Sequence, residues 1–141
     1  MFKIIINRNI SNCIADSIYI MHYSSMFIVY FFPMIPITLD ITNKKYKRKK
    51  LYYSLGFITG GILFSYYKFD NICLISKYEN YFSPEKYKIY KVSNDFKNIL
   101  LLSFASLTIQ YFSNTMKNKL ISVGFYYSWL FYTSIKNYIR Y

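Results

Sequence analysis

The chain is 141 residues long, carries 18 Lys and Arg against 6 Asp and Glu for a formal charge of +12, and holds 18 Tyr and 13 Phe but only 4 Gly and 3 Pro. That length leaves room for one domain, and the scarcity of Gly and Pro argues against a turn-rich β-sandwich. Cys13 and Cys73 match neither CxxC nor a zinc spacing, and the single histidine, His22, excludes a self-contained His-rich metal site.

No stretch carries a catalytic signature. Lys far outnumbers Arg, and Ile, Asn, Tyr and Phe are abundant, as AT-rich coding sequence produces. The placement of these residues is therefore more informative than their number.

Charge is segregated along the chain. Four charge-free runs, 17–39, 51–67, 98–116 and 120–135, are separated by hydrophilic segments 40–50 and 68–97 and by a short link, "SNTMKNK". The runs are about 23, 17, 19 and 16 residues long, against roughly 17–25 for a helix that spans a bilayer. The fold class expected is therefore all-α, an integral membrane helical bundle of three to four spans forming a single membrane domain. A soluble basic bundle is the alternative, and the mean hydropathy of +0.13 is low for a multi-pass protein. A soluble amphipathic helix, however, keeps charges on one face, and run 51–67 has none on any face.

The residues before the first run include Lys3 and Arg8 but no long apolar stretch and no Ala-x-Ala-like cleavage site, so an uncleaved first span is expected rather than a signal peptide. Pro33 and Pro36 predict that the first helix kinks or ends there, freeing carbonyls that must find donors. His22 lies in this helix. An imidazole there is a candidate contact for haem or quinone, although bis-His haem would need a second ligand from another chain. The alternative is a neutral histidine bonded to Ser24, Ser25 or water.

The segment "DITNKKYKRKK" packs Lys44, Lys45, Lys47, Arg48, Lys49 and Lys50 into a short loop. Beside a hydrophobic run these side chains suit anionic lipid headgroups and topology setting, and nucleic-acid binding is not expected. Positive-inside bias puts this loop, and with four spans also the SNTMKNK link, on the cytoplasmic or matrix side.

In run 51–67, Gly56 and Gly60 form a GxxxG pair, and Gly61 and Ser65 a second small-xxx-small pair. Residues four apart share a helix face, so these positions are notches for a neighbouring helix. Tyr52, Tyr53, Tyr66 and Tyr67 sit near the ends of the run, where interfacial tyrosines are favoured. In the long 68–97 segment, Ser83-Pro84-Glu85 reads as a helix start, leading into an interfacial amphipathic helix over "EKYKIYKVSNDFKNILLL". Ser103, Ser106, Gln110 and Asn114 then recur as one helical stripe, a protein-facing polar seam or, in a sharper reading, a transport path. The alternation in "SLTIQY" is also compatible with a strand.

"ADSIYIMHYSSMFIVYF" followed by "GFITGGILFSYYKF" resembles two helices of the transmembrane protein 256 family. The likeness rests on Tyr19 before His22 and on Gly60 and Gly61 before the Phe64-Ser65 pair, over about a third of the chain. The family's Gly/Ala-rich first helix has no counterpart here. The resemblance implies a small four-helix membrane protein and no particular activity.

The expected function is a small non-enzymatic multi-pass protein. It would be an accessory or assembly subunit of an organellar membrane complex, plausibly respiratory, in the mitochondrial inner membrane rather than the ER. Its partners would be other membrane subunits and anionic lipids, with no cofactor of its own. The rivals are a redox anchor with haem or quinone at His22, and a small transporter or channel.

Overall fold

The charge-free runs fold as helices, but only two of the four coincide with one uninterrupted helix. The computed structural model describes residues 8–139, so Lys3 lies outside the described residues. In chain order its helices are α1 (Arg8–Tyr30), α2 (Met34–Ile41), α3 (Arg48–Lys68), α4 (Leu74–Phe82), α5 (Asn94–Phe112) and α6 (Met116–Ile139). The described residues form no strand beyond a single antiparallel bridge between Ile72 and Lys91. The possible strand SLTIQY is part of α5. The all-α expectation therefore holds.

The first run is broken where the prolines said it would be. α1 ends at Tyr30, residues 31–33 form a turn, and α2 leaves at a 57° bend. No single helix among the described residues is long and apolar enough to cross a membrane; α1 and α2 meet that standard only as a bent pair. The shortfall is in apolarity. α3, α5 and α6 have 21, 19 and 24 residues, or about 28–36 Å at ~1.5 Å per residue, but Tyr, Ser, Thr and Gln occupy many of their positions.

The Ser-Pro-Glu signal does not start a helix. Ser83 instead closes α4 with its amide bonded to the Glu79 carbonyl, and its own carbonyl accepts from the amides of Lys86 and Tyr87 in the turn that follows. The expected interfacial helix is thus misplaced. Residues 84–93 form turn and extended chain, α5 begins after Ser93, whose hydroxyl accepts from the Phe96 amide, and the amphipathic helix is α4, upstream.

The chain forms two compact units. One runs up to Ile28 and resumes over Ser65–Val92; the other comprises Val29–Phe64 and the residues from Ser93 onward. In the first, α1 is joined to α4 and its following turn by polar contacts. Asp16 accepts from the Tyr87 hydroxyl at 2.6 Å and from Lys86 Nζ at 2.7 Å, and Ser83 donates to Asn12 at 2.7 Å. Arg8 pairs with Glu85, and the Ser11 hydroxyl donates to the Phe82 carbonyl.

In the second unit α6 packs along α5 and touches α2, around a core that includes Ile37, Leu55, Leu100, Leu107 and Tyr126. Here the carbonyls freed by the helix break find their donors. Tyr127 and Tyr126 donate to the Tyr30 carbonyl at 3.0 and 3.3 Å, and Gln110 Nε2 donates to the Pro33 carbonyl at 2.9 Å. Gln110 is fully buried and also accepts from the Tyr52 hydroxyl at 3.5 Å.

Replacing Gln110 with leucine keeps the volume but strands a buried carbonyl. We expect Gln110→Leu to cost roughly 1–3 kcal/mol, read as a melting temperature lowered by a few degrees in circular dichroism of the purified protein. An unchanged melting temperature would show that the Pro33 carbonyl is satisfied otherwise.

Candidate functional site

The first unit holds the one concentration of chemically capable groups in the described residues. Three elements deliver it. Asp70 and Asn71 adopt positive φ (52° and 64°), a conformation that Asp and Asn tolerate better than bulkier residues, and turn the chain out of α3. The Ile72–Lys91 bridge then pins the next residue: Cys73 donates its amide to the Tyr90 carbonyl at 3.1 Å, while Val92 donates to the Asn71 carbonyl at 2.6 Å. Cys73 is thereby fixed as the N-cap of α4.

From there, positions 73, 76, 79 and 83 fall along one stripe of α4, and all four side chains are buried: Cys73, Ser76, Glu79 and Ser83. The Ser76 hydroxyl donates to the Cys73 carbonyl at 2.7 Å and accepts from the Tyr90 amide at 3.1 Å. The opposite face of α4 is apolar and exposed, with Ile75, Tyr78 and Tyr81.

His22 of α1 completes the cluster. Its Nδ1 lies 2.8 Å from Glu79 Oε1 and its Nε2 lies 3.3 Å from Cys73 Sγ. All three residues are at least 95% buried. In the neutral arrangement the Nδ1 proton is donated to Glu79, and Nε2 accepts from the thiol. Burial opposes ionisation of Cys73, but the bond to His22 and the backbone amides of Ser76 and Ile75 outweigh it, and its pKa falls below the ordinary thiol value. Glu79 Oε2 is buried with no hydrogen-bond partner among the described residues.

Neither Ser24 nor Ser25 takes the His22 ring; Ser25 donates instead to the His22 backbone carbonyl at 2.8 Å. Both ring nitrogens are engaged, so a haem iron at Nε2 would have to displace the cysteine sulfur. Sequence reasoning missed Cys73 and Glu79 because they lie 51 and 57 residues from His22, with no local motif to link them. The only available signal was the coincidence of a lone His, a Cys and a following acid.

Of the expected packing residues, Ser65 lies in the first unit and the others in the second. At Gly56 and Gly60 an added Cβ would stand 3.7 Å from the Phe104 ring of α5, so this pair is a notch that α5 occupies. The groove around it, about 530 Å³, is bounded by Tyr52, Phe57, Leu107 and Tyr111 among others. Gly61 faces open space, and Ser65 is partly exposed. Ser103, Ser106 and Gln110 are buried as a seam, with Ser106 donating to Ser122 of α6 at 3.4 Å. Asn114 leaves the stripe, because α5 ends at Phe112 and Asn114 is exposed in the link.

Of the basic loop, Lys44, Lys45, Lys47, Lys49 and Lys50 are exposed. Arg48 is the exception to a lipid-headgroup assignment. Its guanidinium donates to the carbonyls of Gln110, Tyr111 and Ser113 at 3.1, 2.9 and 3.3 Å, capping the C-terminal end of α5, where a cation complements the helix dipole. Asp40, one residue past the first run, accepts from Lys119 Nζ at 2.8 Å and from the Tyr46 hydroxyl at 2.7 Å. The basic loop and the SNTMKNK link therefore meet at one end of this unit.

Comparison with protein-family models, with curated proteins and with solved structures finds no match to this chain.

Partial burial raises the Asp40 pKa, but its bonds to Lys119 and Tyr46 outweigh that, and the net shift is downward. A depressed carboxylate pKa means that the pair contributes stability above the unfolded value of about 3.9 and loses it as pH falls through the folded value. Asp40→Asn should therefore melt below the wild type at pH 7, and the difference should shrink towards pH 3. A gap that stays constant with pH would remove the carboxylate from the explanation.

Proposed function

We propose that this chain is a small multi-pass membrane protein that acts as an accessory or assembly subunit, packing against other subunits of an organellar membrane complex. The observation that carries the reading is the inverted distribution of polarity. In the second unit the buried side chains include Thr59, Ser103, Ser106, Gln110, Ser122 and Thr133, while Phe57, Phe64, Phe112, Phe125 and Phe131 are exposed, Phe57 by 83%. In the first unit His22, Ser76 and Glu79 are inside while Ile20, Met21 and Phe27 are outside.

Water would penalise that arrangement. Monomeric soluble proteins rarely leave large contiguous apolar patches exposed, and such patches mark protein or membrane contacts. In lipid, apolar surface costs nothing to expose, and helices associate through small residues and interhelical hydrogen bonds. Those are the contacts made by Gly56, Gly60, Ser106 and Gln110. Lengths of about 28–36 Å let α3, α5 and α6 reach across a ~30 Å core. Their tyrosines and hydroxyl residues are best accommodated where other subunits cover them. The exposed lysines of the loop then lie at anionic headgroups, where each contributes about 1 kcal/mol.

Two measurements test this reading. After carbonate extraction the protein should stay with the membrane pellet; recovery in the supernatant would sink the membrane assignment. A Cβ added at Gly61 would meet nothing within 4 Å among the described residues, so Gly61→Leu should leave the melting temperature unchanged while shifting the native-gel migration of the complex. Migration identical to wild type would remove the Gly61 face from the subunit contact.

A further inference from the structure

The His22–Cys73–Glu79 cluster joins α1 to α4, and its geometry is that of a nucleophile, its base and the group that orients the base. The base nitrogen is 3.3 Å from sulfur, and the orienting carboxylate is 2.8 Å from the other ring nitrogen. Cys73 stands at the N-terminus of a nine-residue helix, where first-turn amides point at incoming negative charge. The amides of Ile75 and Ser76 lie in that first turn and help lower the thiol pKa, although no capping hydrogen bond reaches the Cys73 side chain. Burial is nearly complete, which strengthens each of these interactions by excluding water. The second oxygen of Glu79, with no hydrogen-bond partner among the described residues, is a further acceptor inside the cluster.

We propose that Cys73, His22 and Glu79 form a thiol acyl-transfer centre that takes an acyl group from an activated ester or thioester. Cys73 is the catalytic nucleophile, His22 the acid and base, and Glu79 the positioning residue.

The step balances without an oxidant or a metal. The Cys73 thiol gives its proton to His22 Nε2, and the thiolate attacks the acyl carbonyl carbon. The carbonyl electron pair moves to oxygen, beside the first-turn amides of α4. When it returns, the bond to the leaving oxygen or sulfur breaks, and that atom takes the proton from His22. A water molecule then gives a proton to Nε2 and attacks the Cys73 thioester, which releases the acid and the thiolate, and the thiolate takes the proton back from Nε2. Glu79 holds the ring by its Nδ1 proton and stabilises the imidazolium that forms in both halves.

The surroundings favour an apolar acyl chain. Ile20, Met21 and Tyr23 of α1 and Ile75 and Tyr78 of α4 are substantially exposed, an apolar surface on the outer side of the two helices that carry His22 and Cys73. An acyl group arriving as a bilayer ester or as a soluble thioester meets the same chemistry. The inference does not rest on the subunit role proposed above, and its test proceeds equally whether or not the protein pellets with membranes.

The experiment uses the full chain in mild detergent, incubated separately with octanoyl-coenzyme A and with vesicles of palmitoyl-oleoyl phosphatidylcholine. Intact-mass and peptide mass spectrometry then locate any added acyl group. The expected result is one hydroxylamine-labile acyl group on Cys73 from at least one donor; the donor that labels identifies the source as a soluble thioester or a lipid ester. Exposed Cys13 is the internal control. Labelling of Cys13 as fast as Cys73, or no labelling of Cys73 by either donor, overturns the proposal.

His22→Gln should slow acylation by about 10²-fold or more, the usual contribution of a general base. Glu79→Gln should slow it and move the midpoint of its pH–rate profile upward, with partial rescue in Glu79→Asp. Should these variants fail to fold, iodoacetamide labelling of the wild type decides. Buried Cys73 reacting faster than exposed Cys13 at pH 7 supports an activated thiol, and the reverse order overturns it.

Discussion

The break between α1 and α2 is the constraint on which the second unit depends. A proline cannot donate to the helix ladder, so carbonyls buried at the turn over 31–33 must find donors elsewhere in the unit. Tyr30 and Pro33 present those carbonyls, and Gln110, Tyr126 and Tyr127 supply the donors. α5 must therefore present an amide and α6 two phenols at that depth. This is why polar side chains such as Gln110 and Ser106 lie inside the unit beside Ile37, Leu100 and Leu107. The remaining seam follows from the same requirement: Ser106 lies one turn from Gln110, bonds its side chain at 3.3 Å, and extends the network to Ser122.

The end of the unit that carries the basic loop is organised by charge. Arg48 closes the C-terminal carbonyls of α5, and Asp40 joins Lys119 at the start of α6. A loop that reads as six equivalent cations thus contains one structural cation and five exposed ones. The difference is geometric: the planar guanidinium can donate to several carbonyls at once, whereas a lysine behaves as a point charge.

The first unit obeys the same inversion, with a different consequence. Turning the polar stripe of α4 inward brings Glu79 and Cys73 onto the two nitrogens of His22, while its aromatic stripe faces out. Burying a carboxylate costs free energy unless a partner accompanies it, and the imidazole is that partner. The arrangement therefore ties structural necessity to chemical potential: the groups that satisfy one another are also a thiol, a base and an orienting acid.

Much of this was legible in the sequence. Charge segregation marked the helical runs, Pro33 and Pro36 marked the break, and the spacing of Gly56, Gly60, Ser103, Ser106 and Gln110 marked packing faces. These are local properties, determined by periodicity and by the backbone chemistry of single residues. The Ser83-Pro84-Glu85 signal misled because the same residues also suit the turn that follows a helix, and Asn114 left its stripe because α5 ended two residues earlier. What only the tertiary structure decided is which distant groups meet. The identity of Arg48 as a helix cap and the convergence of His22, Cys73 and Glu79 depend on contacts more than fifty residues apart, and no local spacing encodes a separation of that kind.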